Sequence, residues 1–149
     1  MNPSVVLDAP SDDLLGAVDR RLEWSPWPYE QPKVLVVDDD VDTRRMLVLL
    51  LERAGVAVLE ASTADTAVKL ARSEQVSAVI LDVMLPDNNG FEVCRLLRGD
   101  ESTRRVRVVM ITSLSGITDE VTGILAGADA YLVKPVRCAE LMRRLQTLL

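Results

Sequence analysis

Five short apolar runs, each followed by a stretch of helical periodicity, constrain this chain more than any other feature. Residues 34–37 are apolar without alternation and are bounded by Pro32 and three aspartates, which suits a parallel strand buried on both faces. Residues 41–54 follow, with Met46, Leu47, Leu50 and Leu51 on one helical face and Gly55 as the stop. The alternation then repeats, predicting strand 56–60, helix 64–72 and strand 77–81. A Pro-Asp-Asn-Asn-Gly turn leads into helix 91–98, strand 106–111, helix 118–126 ended by Gly127, strand 130–133 and helix 138–149. Five strands alternating with five helices predict an α/β fold, a doubly wound parallel sheet with helices on both faces. In such sheets ligands bind beyond the carboxyl ends of the strands, so the residues standing there are the candidates for chemistry.

Composition narrows that chemistry. The 149 residues contain no histidine, which excludes a Ser-His-Asp or Cys-His nucleophile, a His-ligated zinc and an imidazole switch. The net charge of −6 divides into −4 over residues 1–32 and −2 over residues 33–149, with no basic excess of the kind a nucleic-acid surface needs. Cys94 and Cys138 lie in predicted helices without CxxC spacing, so two reduced thiols are expected. No basic residue precedes Arg20, no signal-like apolar stretch opens the chain, and the longest apolar run, 46–51, is too short for membrane insertion. A cytoplasmic location is expected.

Residues 1–32 differ from the rest and read as an acidic extension preceding a domain at 33–149. Ser11, Asp12 and Asp13 resemble a helix start, and Leu14, Leu15, Val18 and Leu22 follow at helical spacing over 12–23. Trp24 to Tyr29 then reads as a proline-stiffened connector. Two roles stand open: a tail packed loosely on its own domain, or a docking segment whose Trp and Tyr side chains anchor a partner.

The strand ends carry the chemical signal. The first strand ends at Asp38-Asp39-Asp40, the third at Asp82, the fourth at Thr112-Ser113 and the fifth at Lys134-Pro135. Asp38, Asp39 and Asp82 would converge at one sheet edge, and carboxylates so close raise one another's pKa unless a cation joins them. Hard oxygen ligands in small number suit Mg²⁺ (or Mn²⁺), which keeps several waters and binds one or two carboxylates together with a phosphate. Lys134 adds a point charge and Thr112 a hydroxyl donor for an anion in the same place. A carboxylate nucleophile, divalent metal, ammonium and hydroxyl together describe phosphoryl transfer to an aspartate. Taken singly these residues have plainer readings: Asp40 or Asp42 as a helix cap, Thr112 as a structural hydroxyl. Their conjunction at successive strand ends is what points to function.

Residues 33–149 resemble the receiver domain of two-component response regulators. The motifs are Val34-Leu-Val-Val-Asp-Asp-Asp40, Leu81-Asp-Val-Met-Leu-Pro86 with Gly90, Met110-Ile-Thr-Ser113 and Gly127-Ala-Asp-Ala-Tyr-Leu-Val-Lys-Pro135. The resemblance implies a flavodoxin-like strand order of 2-1-3-4-5. It implies Asp82 as phospho-acceptor, and Asp39, Asp82 and the Met84 backbone carbonyl as Mg²⁺ ligands, with Asp38 holding metal-bound water. Lys134 matches the lysine that pairs with the aspartate and then with its phosphoryl group, beside a Lys134–Pro135 peptide that is usually cis. Thr112 and Tyr131 match the paired switch residues. The implied partners are a sensor histidine kinase or histidine phosphotransfer protein upstream and a protein target downstream, reached through the face of helix four, strand five and helix five.

Departures from the family pattern qualify these expectations. Asn89 stands where an acid commonly precedes Gly90, and asparagine tolerates the same turn. Ala130 replaces an acid common in regulators that form a homodimer through that same face, which weakens the case for such a dimer. Met84 and Leu114 are apolar neighbours of the expected phosphoryl position, which predicts a long-lived phospho-aspartate. No output module follows the last predicted helix, so a stand-alone receiver is expected. Three other readings compete. Asp38-x-Asp40, or equally Asp40-x-Asp42, resembles the strand-one signature of haloacid-dehalogenase-type phosphohydrolases, although the later motifs do not. A phosphorylation-independent binding module usually lacks one of the acids, the Thr or the Lys, all present here. A flavin phosphate would want amides and hydroxyls where this chain is acidic.

Overall fold

The computed structural model describes Trp27 and residues 30–149. The helix expected at 12–23, and the connector apart from Trp27, lie outside the described residues. Five parallel strands form one sheet: β1 Lys33–Val37, β2 Ala57–Ala61, β3 Ala78–Leu81, β4 Arg107–Thr112 and β5 Ala130–Val133. Their order is β2-β1-β3-β4-β5, as expected. The helices between them are α1 Val41–Arg53, α2 Ala64–Glu74, α3 Gly90–Gly99, α4 Ile117–Ala126 and α5 Cys138–Leu148. Elements differ from the sequence expectation by one or two residues at their ends, where capping and fraying decide the boundary.

Strand pleating sorts the core into two layers. Leu35, Val37, Val79, Leu81, Val108 and Met110 pack with Val68, Val93, Cys94, Leu97 and Ala126 of α2, α3 and α4. The alternate residues Val34, Val36, Ile80, Val109 and Ile111 pack with Leu47 and Leu51 of α1 and Leu141 and Leu145 of α5. The α1 face is narrower than its sequence suggested. Leu47 and Leu51 are buried and Leu50 half-buried, but Met46 is 45% exposed. Two helices share the β1, β3 and β4 surface on that side, so α1 turns only a narrow seam inward.

Local chemistry starts the helices that follow the functional strand ends. Asp40 caps α1, its carboxylate accepting from Thr43 N, which bears out its reading as a cap. Gly55, just past α1, adopts φ +83°, a left-handed conformation that glycine takes without penalty. Trp27 is buried at 4% exposure in the α1–α5 layer, and its indole N–H donates to the Ala54 carbonyl at 3.0 Å. Its side chain is therefore core, which leaves it no part in the docking role open to an exposed aromatic.

Candidate functional site

The carboxyl ends of β1 and β3 lie side by side because the sheet ladder runs one residue beyond them. Asp38 N donates to Ala61 O at 3.1 Å and Asp82 N to Val37 O at 2.9 Å. Asp38 and Asp82 are buried, Asp39 is exposed, and one carboxylate oxygen from each lies within 4.8 Å of the others. Lys134 reaches this cluster from beyond β5. Its Nζ donates to Asp38 Oδ2 at 2.8 Å and to Asp82 Oδ2 at 2.9 Å. The Lys134–Pro135 peptide is cis, matching the family expectation, and Lys134 N donates to Thr112 O at 2.8 Å. Behind the cluster, Arg44 of α1 donates to the Asp38 carbonyl at 2.7 Å and pairs with Glu60 at 3.0 Å, bracing the end of β1.

The electrostatics of the pocket are unbalanced. One ammonium faces three carboxylates. Burial pushes the Asp38 carboxyl upward, and although the hydrogen bonds from Lys134 and Asp40 N oppose this, the net direction is up. For Lys134 burial is the largest influence and pulls downward, but the hydrogen bonds to Asp38 and then Asp82 outweigh it and hold the ammonium charged. The surplus of hard oxygen donors, two of them on buried residues, fits a divalent cation.

The β3–α3 loop is built around the Asp82 backbone. A Cβ at Gly90 would lie 2.5 Å from the Asp82 carbonyl oxygen and 2.9 Å from Val83 Cα, so only glycine permits this approach. Gly90 N donates to Val83 O at 2.7 Å, and Met84 pairs with Asn89 in an antiparallel bridge. Asn89, noted as a departure, caps α3 by accepting from Glu92 N at 2.9 Å. Met84, 60% exposed, donates its N–H to Asp82 Oδ1 at 3.3 Å.

Thr112 and Tyr131 sit one strand further out. Thr112 closes β4 and is fully buried, and its hydroxyl accepts from Leu114 N at 3.4 Å. Tyr131 on β5 donates its hydroxyl to the Leu114 carbonyl at 2.8 Å. Its ring lies against α4, where a Cβ on Gly123 would fall 2.8 Å from it. Both residues thus meet at Leu114, in the β4–α4 connection.

Two contacts had no signal in the sequence. Asp87, at the tip of the β3–α3 loop, accepts from Ala64 N and Asp65 N of α2 at 2.8 and 3.0 Å. At the opposite edge of the sheet, Arg98 of α3 donates to the carbonyls of Gly127, Arg104 and Val106 and to Asp129, whose carboxylate also accepts from Val108 N. Asp87 reaches α2 across 23 and 22 residues, and Arg98 reaches Gly127 and Asp129 across 29 and 31, beyond the reach of local pattern.

Comparison with known proteins agrees with this geometry. The response regulator receiver domain profile matches residues 34–146. The chain is 42% identical over 117 residues to the probable transcriptional regulatory protein SilR of Salmonella typhimurium, covering 78% of this chain and 50% of that protein. It is 39% identical over 118 residues to the DNA-binding dual master transcriptional regulator RpaA of Synechocystis, covering 79% of this chain and 49% of the relative. It therefore spans about half the length of these curated relatives. The high-resolution structure of the chemotaxis response regulator CheY4 of Vibrio cholerae superposes with a TM-score of 0.76 at 30% identity, covering 80% of this chain and 100% of that one. Sheet order, profile and relatives converge, and the chain belongs to the response regulator receiver family, a family of signalling switches.

Proposed function

We propose that this domain is switched by Mg²⁺-dependent phosphorylation of Asp82. The observation that carries the reading is the Lys134 ammonium bonded at once to the buried Asp38 and Asp82 carboxylates, beside Asp39, at one sheet edge. Asp39, Asp82 and the Met84 carbonyl would hold the Mg²⁺ (or Mn²⁺), with Asp38 holding its water. Bound there, the cation would neutralise charge on the phosphoryl oxygens. Asp82 supplies the nucleophilic oxygen. It forms the O–P bond as the N–P bond of a partner's phosphohistidine breaks, and the leaving imidazole nitrogen keeps the electron pair and takes up a proton. Lys134 then pairs with the phosphoryl group. The chain has no histidine, so the donor is a sensor histidine kinase, a histidine phosphotransfer protein or a small acyl phosphate. A donor of that kind places the domain in the cytoplasm, and no helix among the described residues is long and apolar enough to cross a membrane.

Output runs through Thr112 and Tyr131 to α4. Ile117, Val121 and Leu125 of α4 are exposed at 83%, 50% and 81%, and Val133 of β5 at 40%, an apolar surface of the kind that meets protein partners. A shift of Thr112 toward the phosphoryl oxygen would release Leu114 and, through its carbonyl, Tyr131, altering that face for a protein target or a second copy. RpaA is named for DNA binding, but this chain has no basic excess, and contact with nucleic acid is not assigned to it. Met84 and Leu114 stand two residues after Asp82 and Thr112, and apolar side chains at those positions would leave an attacking water poorly positioned, so slow hydrolysis is expected.

The test is incubation with acetyl phosphate, with and without Mg²⁺, followed by intact mass. Wild type gains one phosphoryl group only with Mg²⁺, and Asp82→Asn gains none. No Mg²⁺-dependent gain in wild type would overturn the reading, and loss of phosphate within seconds would count against the slow hydrolysis.

A further inference from the structure

The loop that carries Asp82 and Met84 is fastened at its tip to a helix that has a cap of its own. Thr63 already caps α2, its hydroxyl accepting from Thr66 N at 3.2 Å. Asp87 nevertheless turns both carboxylate oxygens onto the same turn, Oδ1 to Ala64 N at 2.8 Å and Oδ2 to Asp65 N at 3.0 Å. The first three amides of α2 are thereby all engaged. These two hydrogen bonds hold the Asp87 carboxyl below the ordinary carboxylate range, so it stays ionised across the neutral range and is favoured by the positive end of the helix. Thr63 caps this turn by itself, and at the exposed Asp65 amide water would serve as well as Asp87, although Ala64 is buried. The distinctive effect of Asp87 therefore falls on its own loop.

That loop has two fixed points. Its base is held by the Gly90 approach to the Asp82 carbonyl and by the Met84–Asn89 bridge. Its tip, with Pro86, Asp87 and Asn88 all exposed, is held to α2 by Asp87. The Met84 backbone belongs to that base, its N–H also meeting Asp82 Oδ1, and only Leu85 and Pro86 separate it from the tethered tip. We infer that Asp87 is a positioning residue: by tying the loop tip to the first turn of α2, it sets the Met84 backbone and hence the cation geometry at Asp38, Asp39 and Asp82. This rests on the reading of the cluster as a Mg²⁺ site with Met84 among its ligands.

The test titrates the full chain with Mg²⁺ by isothermal calorimetry, a readout independent of phosphoryl transfer. Asp87→Ala is expected to weaken Mg²⁺ binding about ten-fold, the low end for loss of a residue that supports metal ligands. Asp87→Asn keeps one accepting oxygen but turns an NH2 donor toward the other amide, so it should recover only part of that loss. Thr63→Ala removes α2's own cap and should lower the melting temperature while leaving Mg²⁺ affinity unchanged. Asp65→Asn removes a neighbouring negative charge without touching the tether and should also leave it unchanged. Unaltered affinity in Asp87→Ala overturns the inference, as does an equal loss in Thr63→Ala or Asp65→Asn, which would assign the effect to helix stability or to charge. Absence of Mg²⁺ binding in wild type would remove the underlying reading of the cluster, and this inference with it.

Discussion

Replacing Trp27 with alanine tests whether a residue far from the functional site is part of the folded core. The indole is 4% exposed, packs with the α1–α5 layer, and donates to the Ala54 carbonyl at 3.0 Å. A tryptophan side chain buries about 200 Å², which at about 25 cal/mol per Å² corresponds to about 5 kcal/mol as an upper bound. The hydrogen bond adds about 1 kcal/mol net, and relaxation of the site removes part of the total, so about 3–5 kcal/mol is expected for Trp27→Ala. Trp27→Phe keeps most of the apolar contact and should cost about 1–2 kcal/mol. The assay is urea unfolding followed by circular dichroism at the helix band, which does not depend on the residue being removed. With a slope of about 2 kcal/mol per molar urea, the alanine variant should shift the midpoint by about 1.5–2.5 M. A midpoint shift below about 0.3 M would refute the packing of Trp27 as core.

Three further outcomes follow from the geometry. Gly90→Ala drives a Cβ into the Asp82 and Val83 backbone, so it should destabilise the fold by about 1–3 kcal/mol and abolish Mg²⁺-dependent phosphorylation; labelling at the wild-type rate would contradict this. Burial pushes the Cys94 thiol up to about 11, whereas Cys138 is exposed, and both are free. A raised thiol pKa keeps Cys94 protonated below about 11, so at pH 8 a thiol reagent should modify one cysteine in the native protein and two in denaturant. Arg98→Ala removes donors from the carbonyls of Gly127, Arg104 and Val106 and from Asp129, and should lower stability by about 2–3 kcal/mol in urea while leaving Mg²⁺ binding intact.

What was legible in the sequence follows from the range of each interaction. Strand and helix periodicity is local, so residues 34–37 and 130–133 could be read as strands, and the acids after β1 and β3 then fell together by topology alone. Asp38, Asp82 and Lys134 lie up to 96 residues apart yet were predictable, because the strand-end rule brings them to one edge. No such rule exists for Asp87 on α2, Arg98 on Asp129 or Trp27 under Ala54. Those contacts depend on how loops and side chains fill space left by the sheet. Met46 shows the limit within a single helix: its spacing suits a buried face, but the α1 face that meets the sheet is narrower than the apolar stripe.

The identity of the acceptor carboxylate is tested most directly by chemical trapping. After incubation with acetyl phosphate and Mg²⁺, borohydride reduction converts an acyl phosphate to an alcohol, and peptide mapping locates the residue changed. The expected result is reduction of Asp82 alone, with Asp38 and Asp39 intact. Reduction at Asp38 instead, persisting in Asp82→Asn, would contradict the account and favour a nucleophile on the first strand.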